Sequence, residues 1–366
     1  MNRTIGLVTT NYKLPDFGIL TEHRPAAAVP FGGRYRLLDF ALSNMVNARL
    51  QTVGLITPYY YRSIMDHIGA GKEWGLDRKS GGLYILPGAV YGFRENTGRF
   101  LFRDLIHNLS FLEQGDADYI LVSSGTLVAN IDYQDLINKH ELSGNHVTLV
   151  THRVDPETAR PAVYLDLDGE GLVKEIHSGD RGEWLYLNSF IIEKALLLRL
   201  ARDFSSVSYM NFISLLQLAL PDVRVGIWEF DGYVGFMDGI RDYYRSSMDL
   251  LRRDVRRELF NPDRQIFTKI HDTPPALYVP GSAVTNSLMT AGSIVEGTVE
   301  NSVVFRSVRI EKGAVVKNCV LMEKCVIKSG AHLENVICDK FVTVNSGTHI
   351  QGTADHPCVL PKGGVI

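Results

Sequence analysis

Two arginines, Arg34 and Arg36, follow a turn formed by residues 30–33, which read Pro-Phe-Gly-Gly. Proline and glycine punctuate a chain in this way at turns. A guanidinium group carries a planar fork of N–H donors that matches the geometry of a phosphate. The pair therefore predicts either an anion-binding turn or a surface loop with two solvated arginines, and residue type alone favours the solvated loop.

From Leu37 onward the apolar residues recur at near-helical spacing, so the turn should lead into a helix. The complete stretch, PFGGRYRLLDFALSN at residues 30–44, resembles bacterial glucose-1-phosphate adenylyltransferases, also called ADP-glucose pyrophosphorylases. That resemblance implies a sugar nucleotidyltransferase that joins ATP and glucose 1-phosphate into ADP-glucose and diphosphate. It continues at residues 53–57, 85–87, 130–133 and 243–250.

The nucleotide loop of that family, Gly-Gly-x-Gly-x-Arg, is replaced by other residues in this chain. Nucleotidyl transfer needs backbone amides and a cation around the triphosphate. Counting back from Leu20-Thr21 and Arg24, which keep the family spacing, gives the matching positions. The three glycine positions fall on Asn11, Tyr12 and Leu14, the arginine position on Asp16, and the lysine position of a following Arg-Ala-Lys-Pro motif on Ala26. Tyrosine and leucine obstruct a phosphate cradle, and an aspartate repels phosphate.

The metal carboxylates of the family are also replaced. Mg²⁺ is held by oxygen ligands, chiefly carboxylates. Where the resemblance places Ser-Gly-Asp-His, this chain has Thr126 in the aspartate position. The second carboxylate position, counted back from Tyr243-Tyr244, falls on Phe236, although a register shifted by two residues would bring Asp238 there. The sugar-binding motifs are absent as well, at residues 94–99 and 176–179.

A preserved scaffold with lost reactive groups resembles the GlgD-type subunits of this family. The resemblance implies a pseudoenzyme: no catalytic residue, no metal or cofactor of its own, and Mg²⁺ only at a catalytic GlgC-type partner. The chain would then regulate that partner in glycogen biosynthesis, as a homo- or hetero-oligomer. Arg34 and Arg36 become candidates for binding a sugar-phosphate effector, because the family places such effectors near this turn. Structural ion pairs are an equal alternative for them.

Two further hypotheses remain open. The chain could be an active nucleotidyltransferase with a rewired site, in which Asp16 or Asp238 would bind the metal. It could instead be a hexapeptide-repeat acyltransferase with His332 as its base. We expect His332 to be a packed core histidine, because the resembling family uses this part of the chain for assembly and regulation.

The elements that must position these residues alternate between strand and helix over the first two-thirds of the chain. This alternation favours a mostly parallel, Rossmann-like α/β sheet with helices on both faces. A small hairpin is expected at residues 162–176 and a single helix at 238–259. The predicted strands are 5–9, 52–57, 118–123, 146–150 and 225–230, and the predicted helices 37–48, 61–67, 99–112, 133–143 and 209–220.

The last section has a six-residue period, which is typical of a parallel β-helix. Two neighbouring apolar rows are expected inside it, and the resemblance implies a left-handed coil. The domain prediction is a nucleotidyltransferase-like domain at 1–237, a helix and linker at 238–277, and the β-helix at 278–366. The first row consists of Val308, Ala314, Val320, Val326, His332, Cys338, Val344 and Ile350, and the neighbouring row of Val315, Leu321, Ile327 and Leu333.

Composition excludes several classes of protein. The 366 residues carry a formal net charge of −3, which gives no electrostatic case for binding nucleic acid or an anionic membrane. No run of eighteen apolar residues predicts a transmembrane helix. The four cysteines contain no Cys-x-x-Cys pair, so we expect reduced, mostly buried thiols in a cytoplasmic protein.

Overall fold

The computed structural model describes residues 3–58, 60–89, 99–157, 159–204 and 210–366. It consists of two compact units that interleave along the chain, unlike the three continuous segments predicted from the sequence. Residues 94–98 of the altered sugar-binding motif lie outside the described residues. The first unit comprises Met1–Lys13, Leu38–Gly232 and Asp263–Phe267, and the second Leu14–Leu37, Tyr233–Pro262 and Thr268–Ile366.

A mostly parallel sheet of nine strands forms the centre of the first unit, as far as the described residues go. The strands are β1 Thr4–Thr9, β2 Thr52–Thr57, β3 Gly82–Pro87, β4 Tyr119–Ser124, β5 Val147–Arg153, β6 Ala162–Leu167, β7 Val173–Gly179, β8 Trp184–Glu193 and β9 Val225–Glu229. Their main order in the sheet is β9-β5-β8-β4-β1-β2-β3, with β6 paired to β8 and β7 to β6. Strand β8 runs antiparallel to β4, β5 and β6.

Helices pack around this sheet and complete the α/β architecture predicted from the alternation. Strands β1 and β4 are buried over almost their whole length, which explains their continuous apolar sequences. None of the helices in the described parts is long and apolar enough to cross a membrane. The helices of this unit are α1 Leu38–Asn47, α2 Arg62–Ile68, α3 Phe102–His107, α4 Leu109–Gln114, α5 Tyr133–Ser143, α6 Lys194–Asp203 and α7 Phe212–Ala219.

Two predicted helices are each divided, so those two predictions were wrong. The predicted helix 99–112 corresponds to α3 and α4, which ends two residues later, and the chain leaves helical geometry at Asn108 between them. Residues 238–259 contain α8 Ile240–Asp249 and α9 Arg253–Leu259. Arg252 has an extended backbone between α8 and α9. The freed carbonyl of Leu250 accepts a hydrogen bond from the Arg256 guanidinium group at 2.7 Å, which compensates for the break.

The Gly-Gly turn of the second unit is a short hairpin. Strand Pro30–Phe31 pairs antiparallel with Tyr35–Arg36. Gly32 and Gly33 adopt φ angles of 58° and 83°, in the left-handed region that favours glycine. A Cβ atom on Gly33 would lie 2.6 Å from Cγ2 of Thr290, so this turn also needs glycine for close packing.

Most of the second unit is a parallel β-helix of hexapeptide type, the architecture of left-handed β-helices. Its described strands form three parallel sheets of five short strands. Val315, His332 and His349 occupy equivalent positions in successive coils. Asn301, Asn318 and Asn335 take positive φ angles at one repeated corner. The first strand is Leu277–Tyr278 and the last is Cys358–Leu360.

His332 is not a core histidine, and the prediction that it packs inside the β-helix was wrong. Its side chain is exposed, while its neighbour Leu333 is buried. Each coil here is one residue shorter than three hexapeptides, so a row of positions six apart moves one residue ahead in each turn. A slip of one residue moves a side chain to the opposite face of a strand. The buried row on this sheet is instead Val299, Val316 and Leu333.

Candidate functional site

Tyr12 fills the place at the end of strand β1 where the sequence comparison predicts a glycine. Strands β1 and β4 pair with Thr9 opposite Ser124, so the carboxyl ends of both strands meet at one edge of the sheet. The Tyr12 side chain is buried there, and its phenol oxygen lies 2.7 Å from Oγ of Ser124 and 2.8 Å from Oγ1 of Thr126. These three hydroxyl groups form a neutral network at the edge that binds ligands in open α/β sheets.

Arg99 supplies a cation to the same network. Its Nη1 donates a hydrogen bond of 2.5 Å to Oγ1 of Thr126, and its guanidinium group lies 5.7 Å from the centre of the Tyr12 ring. The backbone holds Arg99 in place, because its carbonyl accepts from the Thr9 hydroxyl and its N–H donates to Asn188. The predicted metal-carboxylate position is therefore an uncharged threonine with an arginine of the same chain bound to it.

Asn11, the first predicted glycine position, makes a buried structural contact. Its Nδ2 donates to the two carboxylate oxygens of Asp104 at 2.9 and 3.0 Å, and the Ala89 N–H donates to Asp104 at 2.7 Å. Burial raises the pKa of Asp104 to about 6, although these hydrogen bonds and Arg103 act in the opposite direction. A Cβ on Gly88 would meet Nδ2 of Asn11 at 2.3 Å, so the amide fills the space beside the strand end.

The other predicted positions belong to the second unit, where each has contacts of its own. Leu14 is half-buried there, and Ala26 is buried in a short 3₁₀ turn. Asp16 is exposed and lies against Gly239, where a Cβ would be 2.8 Å from the Asp16 Cβ.

Phe236 and Asp238 precede helix α8 in the second unit, and both are half-buried. The Phe236 carbonyl accepts a hydrogen bond from Ser246 at 3.2 Å. Across the described ranges, no three His, Cys, Asp or Glu side chains are grouped in a way that could hold a metal ion.

The candidate effector residues Arg34 and Arg36 have different surroundings. Arg34 is exposed, and its guanidinium group lies 5.4 Å from the centre of the Tyr35 ring, which stacks on Phe260. Arg36 is half-buried, and its charge lowers the pKa of Lys340 in the β-helix. Arg36 therefore shares its surroundings with other cations of the second unit.

The cations near Arg36 in the second unit lie beside two carboxylates, those of Glu323 and Asp339. Lys340 Nζ lies 2.8 Å from Glu323, and Arg306 donates to the other oxygen of the same carboxylate. Arg24 is buried and pairs with Asp339, which is also buried. Burial would raise the pKa of Glu323, but Lys340 and Arg306 outweigh burial and hold this pKa at about 2.

We call Arg24, Arg36, Arg306, Lys340, Glu323 and Asp339 the basic cluster. Four cations and two anions leave it with a net charge of +2. Burial, Arg36 and Arg24 all lower the pKa of Lys340, and the Glu323 carboxylate raises it. An incoming anion would relieve the repulsion among these cations, which makes the cluster a candidate anion-binding site. The sequence analysis missed Arg306 and Lys340. Each of them lies one coil of the β-helix away from Glu323, one before it and one after it, and this equal spacing was the signal that could have identified them.

Comparisons with known proteins agree with this architecture. Residues 19–176 match the family model for nucleotidyl transferases, and residues 274–356 match that for the GlmU-like C-terminal hexapeptide. The chain is similar to the glycogen biosynthesis protein GlgD of Bacillus subtilis, with 36% identity over 99% of this chain and 96% of the relative. It is 38% identical to GlgD of Geobacillus stearothermophilus over 100% of this chain and 97% of the relative.

Enzymes of the same family are also similar to it. A glucose-1-phosphate adenylyltransferase of Thermotoga sp. strain RQ2 is 32% identical over 87% of this chain and 77% of the relative. The GlgD proteins thus match nearly the whole length of both chains, whereas this enzyme extends beyond the matched part. The chain belongs to the glucose-1-phosphate adenylyltransferase family, among its GlgD proteins.

Proposed function

We propose that this chain is a non-catalytic subunit that regulates a catalytic, GlgC-type glucose-1-phosphate adenylyltransferase in glycogen biosynthesis. The single observation that carries the proposal is the 2.5 Å hydrogen bond from Arg99 to Thr126. It puts a fixed cation at the position where the catalytic relatives are expected to place a metal carboxylate. A cytoplasmic location is part of the same proposal.

The energetics of this contact argue against nucleotidyl transfer by the chain alone. Two unit charges 4 Å apart interact by about 4 kcal/mol at an effective dielectric constant of 20, and a divalent ion doubles that value. Arg99 would therefore repel Mg²⁺ where a catalytic site attracts it. Loss of one transition-state donor typically costs about 3 kcal/mol, and here the Asn11, Tyr12 and Thr126 positions are altered together. We assign the Mg²⁺ of the reaction to the catalytic partner.

We further propose that a sugar-phosphate effector binds at the basic cluster. Its net charge of +2 matches a phosphate monoester, and arginine forks suit phosphate oxygens. Arg36 is the contact we assign from the hairpin. Arg34, exposed and placed beside Tyr35, contributes at most a peripheral charge.

Regulation of a partner also needs a structural element whose conformation responds both to the effector site and to the surface that contacts the partner. Helix α8 is suited to this role within the second unit. The Tyr243 hydroxyl donates to the Pro30 carbonyl in the hairpin at 2.8 Å, and the Tyr244 hydroxyl donates to the Asn318 carbonyl in the β-helix at 2.7 Å. We propose that the partner contacts α8 or the β-helix, in a homo- or hetero-oligomer.

The test is ADP-glucose synthesis in three reactions: this chain alone, a catalytic partner alone, and both together. The proposal predicts no turnover for the chain alone, and a changed rate or effector response in the mixture. Turnover by the chain alone would favour the rewired-site hypothesis with Asp16 or Asp238. An unchanged mixture, together with separate elution in gel filtration, would reject the regulatory role.

A further inference from the structure

Two histidines on the outside of the β-helix, His332 and His349, lie side by side. They are directly opposite each other in the parallel register of strands His332–Glu334 and His349–Gln351. Their rings are stacked, with centroids 4.8 Å apart and an angle of 12° between the ring planes. Both side chains are exposed. Among the described residues, neither ring makes a hydrogen bond or an ion pair, so no such contact competes with an external ligand.

We propose that His332 and His349 form a two-histidine binding site for Zn²⁺. Imidazole nitrogen is a preferred ligand of zinc, at Zn–N distances of about 2.0–2.1 Å. Two nitrogens bound to one metal ion are then roughly 3 Å apart, which is less than the present ring separation. The second side-chain torsion of histidine is broad, so both rings can turn out of the stack until their nitrogens converge on one ion.

The sheet holds the two ligands ready for the ion. Paired strands lie about 4.8 Å apart, which fixes the two Cβ atoms on the same face. The backbone N–H of His332 also donates to the Thr348 carbonyl at 2.8 Å, next to His349. Once one imidazole binds, the second is close by at high effective concentration, which is the source of the chelate effect.

The neighbouring side chains leave the remaining metal positions to water. Val315 occupies the equivalent position in the preceding coil and offers no ligand. Glu334, two residues along the strand on the same face, is engaged by Gln351 at 3.2 Å and lies 3.8 Å from Lys317. The site is therefore a bidentate surface chelate and not a closed structural zinc site, which would have four protein ligands.

Zinc titration calorimetry on the metal-free full chain tests the site. We expect one binding event that His332→Asn and His349→Asn each weaken at least tenfold, and that the double variant abolishes. Both positions are exposed, so both variants should fold. The matched control is His356→Asn, another exposed histidine of the same unit. Its zinc affinity should equal that of the unaltered chain.

A second measurement distinguishes chelation by the two histidines from nonspecific binding of zinc. Without a tag, the unaltered chain should be retained on an immobilised zinc column and elute with imidazole, while the double variant should pass through. Equal zinc affinity in the double variant and the unaltered chain would overturn the proposal. So would the absence of any event tighter than about 1 mM in the unaltered chain.

Discussion

The phenol oxygen of Tyr12 lies 2.8 Å from the hydroxyl oxygen of Thr126, and this contact joins two positions where the family resemblance predicts a glycine and a metal carboxylate. Arg99 bonds to the same threonine oxygen, so three side chains of the protein share the space. The side chains at this edge of the sheet thus satisfy one another's hydrogen-bonding capacity. Restoring a single reactive residue should therefore fail to restore the site.

Thr126→Asp should not create a metal site, because the new carboxylate would pair with Arg99. The double variant Thr126→Asp/Arg99→Gln keeps the carboxylate and removes the cation. We expect it to bind Mn²⁺, measured by electron paramagnetic resonance, at least tenfold more tightly than the single variant does. The control is Thr126→Val, which should bind as weakly as the unaltered chain. Equal Mn²⁺ affinity in the single and double variants would refute the role given to Arg99.

Asp104 should make stability fall between pH 4 and pH 7. Its pKa in the folded state, about 6, is raised above the usual 3.8. The folded chain therefore binds this proton more tightly than the unfolded chain, and the stabilisation, complete below pH 4, is lost as the pH rises through 6. The effect is on the order of 3 kcal/mol. Asp104→Asn should remove most of this dependence in denaturation profiles at pH 5 and pH 7.

The matched control for that measurement is Asp203→Asn, which alters an exposed carboxylate at the end of helix α6. It should leave the pH dependence of the unaltered chain in place. If Asp104→Asn and the unaltered chain lose stability equally between pH 5 and pH 7, the buried carboxyl does not bind the proton.

Glu323 should act in the opposite direction. Lys340 and Arg306 lower its pKa to about 2, so its stabilisation is present above pH 4.5 and is lost as the pH falls through 2. Glu323→Gln leaves both cations without their carboxylate and should cost on the order of 3 kcal/mol at pH 7. Chemical denaturation at pH 7 and pH 3 checks this, with the exposed Glu300→Gln as control. A Glu323→Gln midpoint at pH 7 equal to that of the control would contradict the account.

The two arginines of the hairpin should differ in effector binding. Arg36→Gln removes a charge from the basic cluster and should weaken the binding of hexose mono- and bisphosphates at least tenfold in calorimetry. Arg34→Gln provides the matched control, because Arg34 is exposed beside Tyr35, and it should change affinity less than twofold. Equal losses in both variants would show that the phosphate binds at the turn and not at the cluster.

Much of the fold was accessible from sequence because its signals are local. Strand β2 and helix α5 have the predicted bounds, since an apolar run or a helical period defines each of them. Strand β8 was missed because the polar pair Asn188-Ser189 interrupts its apolar sequence, at an irregularity of the strand pairing where Asn188 takes a positive φ angle. Residues 238–259 were predicted as one helix because the sequence contains no proline or glycine at the break near Arg252, where the Arg256 side chain bonds to the freed Leu250 carbonyl.

The candidate sites were harder to predict, because they depend on distant partners. The substitutions at Tyr12 and Thr126 were visible in the sequence, yet their mutual hydrogen bond joins residues 114 positions apart. Arg99 was visible only as part of an altered motif. The outward position of His332 followed from a coil one residue shorter than three hexapeptides, which a period of six residues does not reveal. Periodicity predicts that a coil exists, and pairing register decides which side chains face outward.

The most direct test of the central claim is a titration of a catalytic partner with this chain, followed as the rate of ADP-glucose synthesis. The account predicts zero rate without the partner at any concentration of the chain. With the partner fixed, it predicts a rate or effector response that changes and then saturates at a constant ratio of subunits. A rate that grows in proportion to this chain without any partner would contradict the account, because it would show that the chain catalyses the reaction itself.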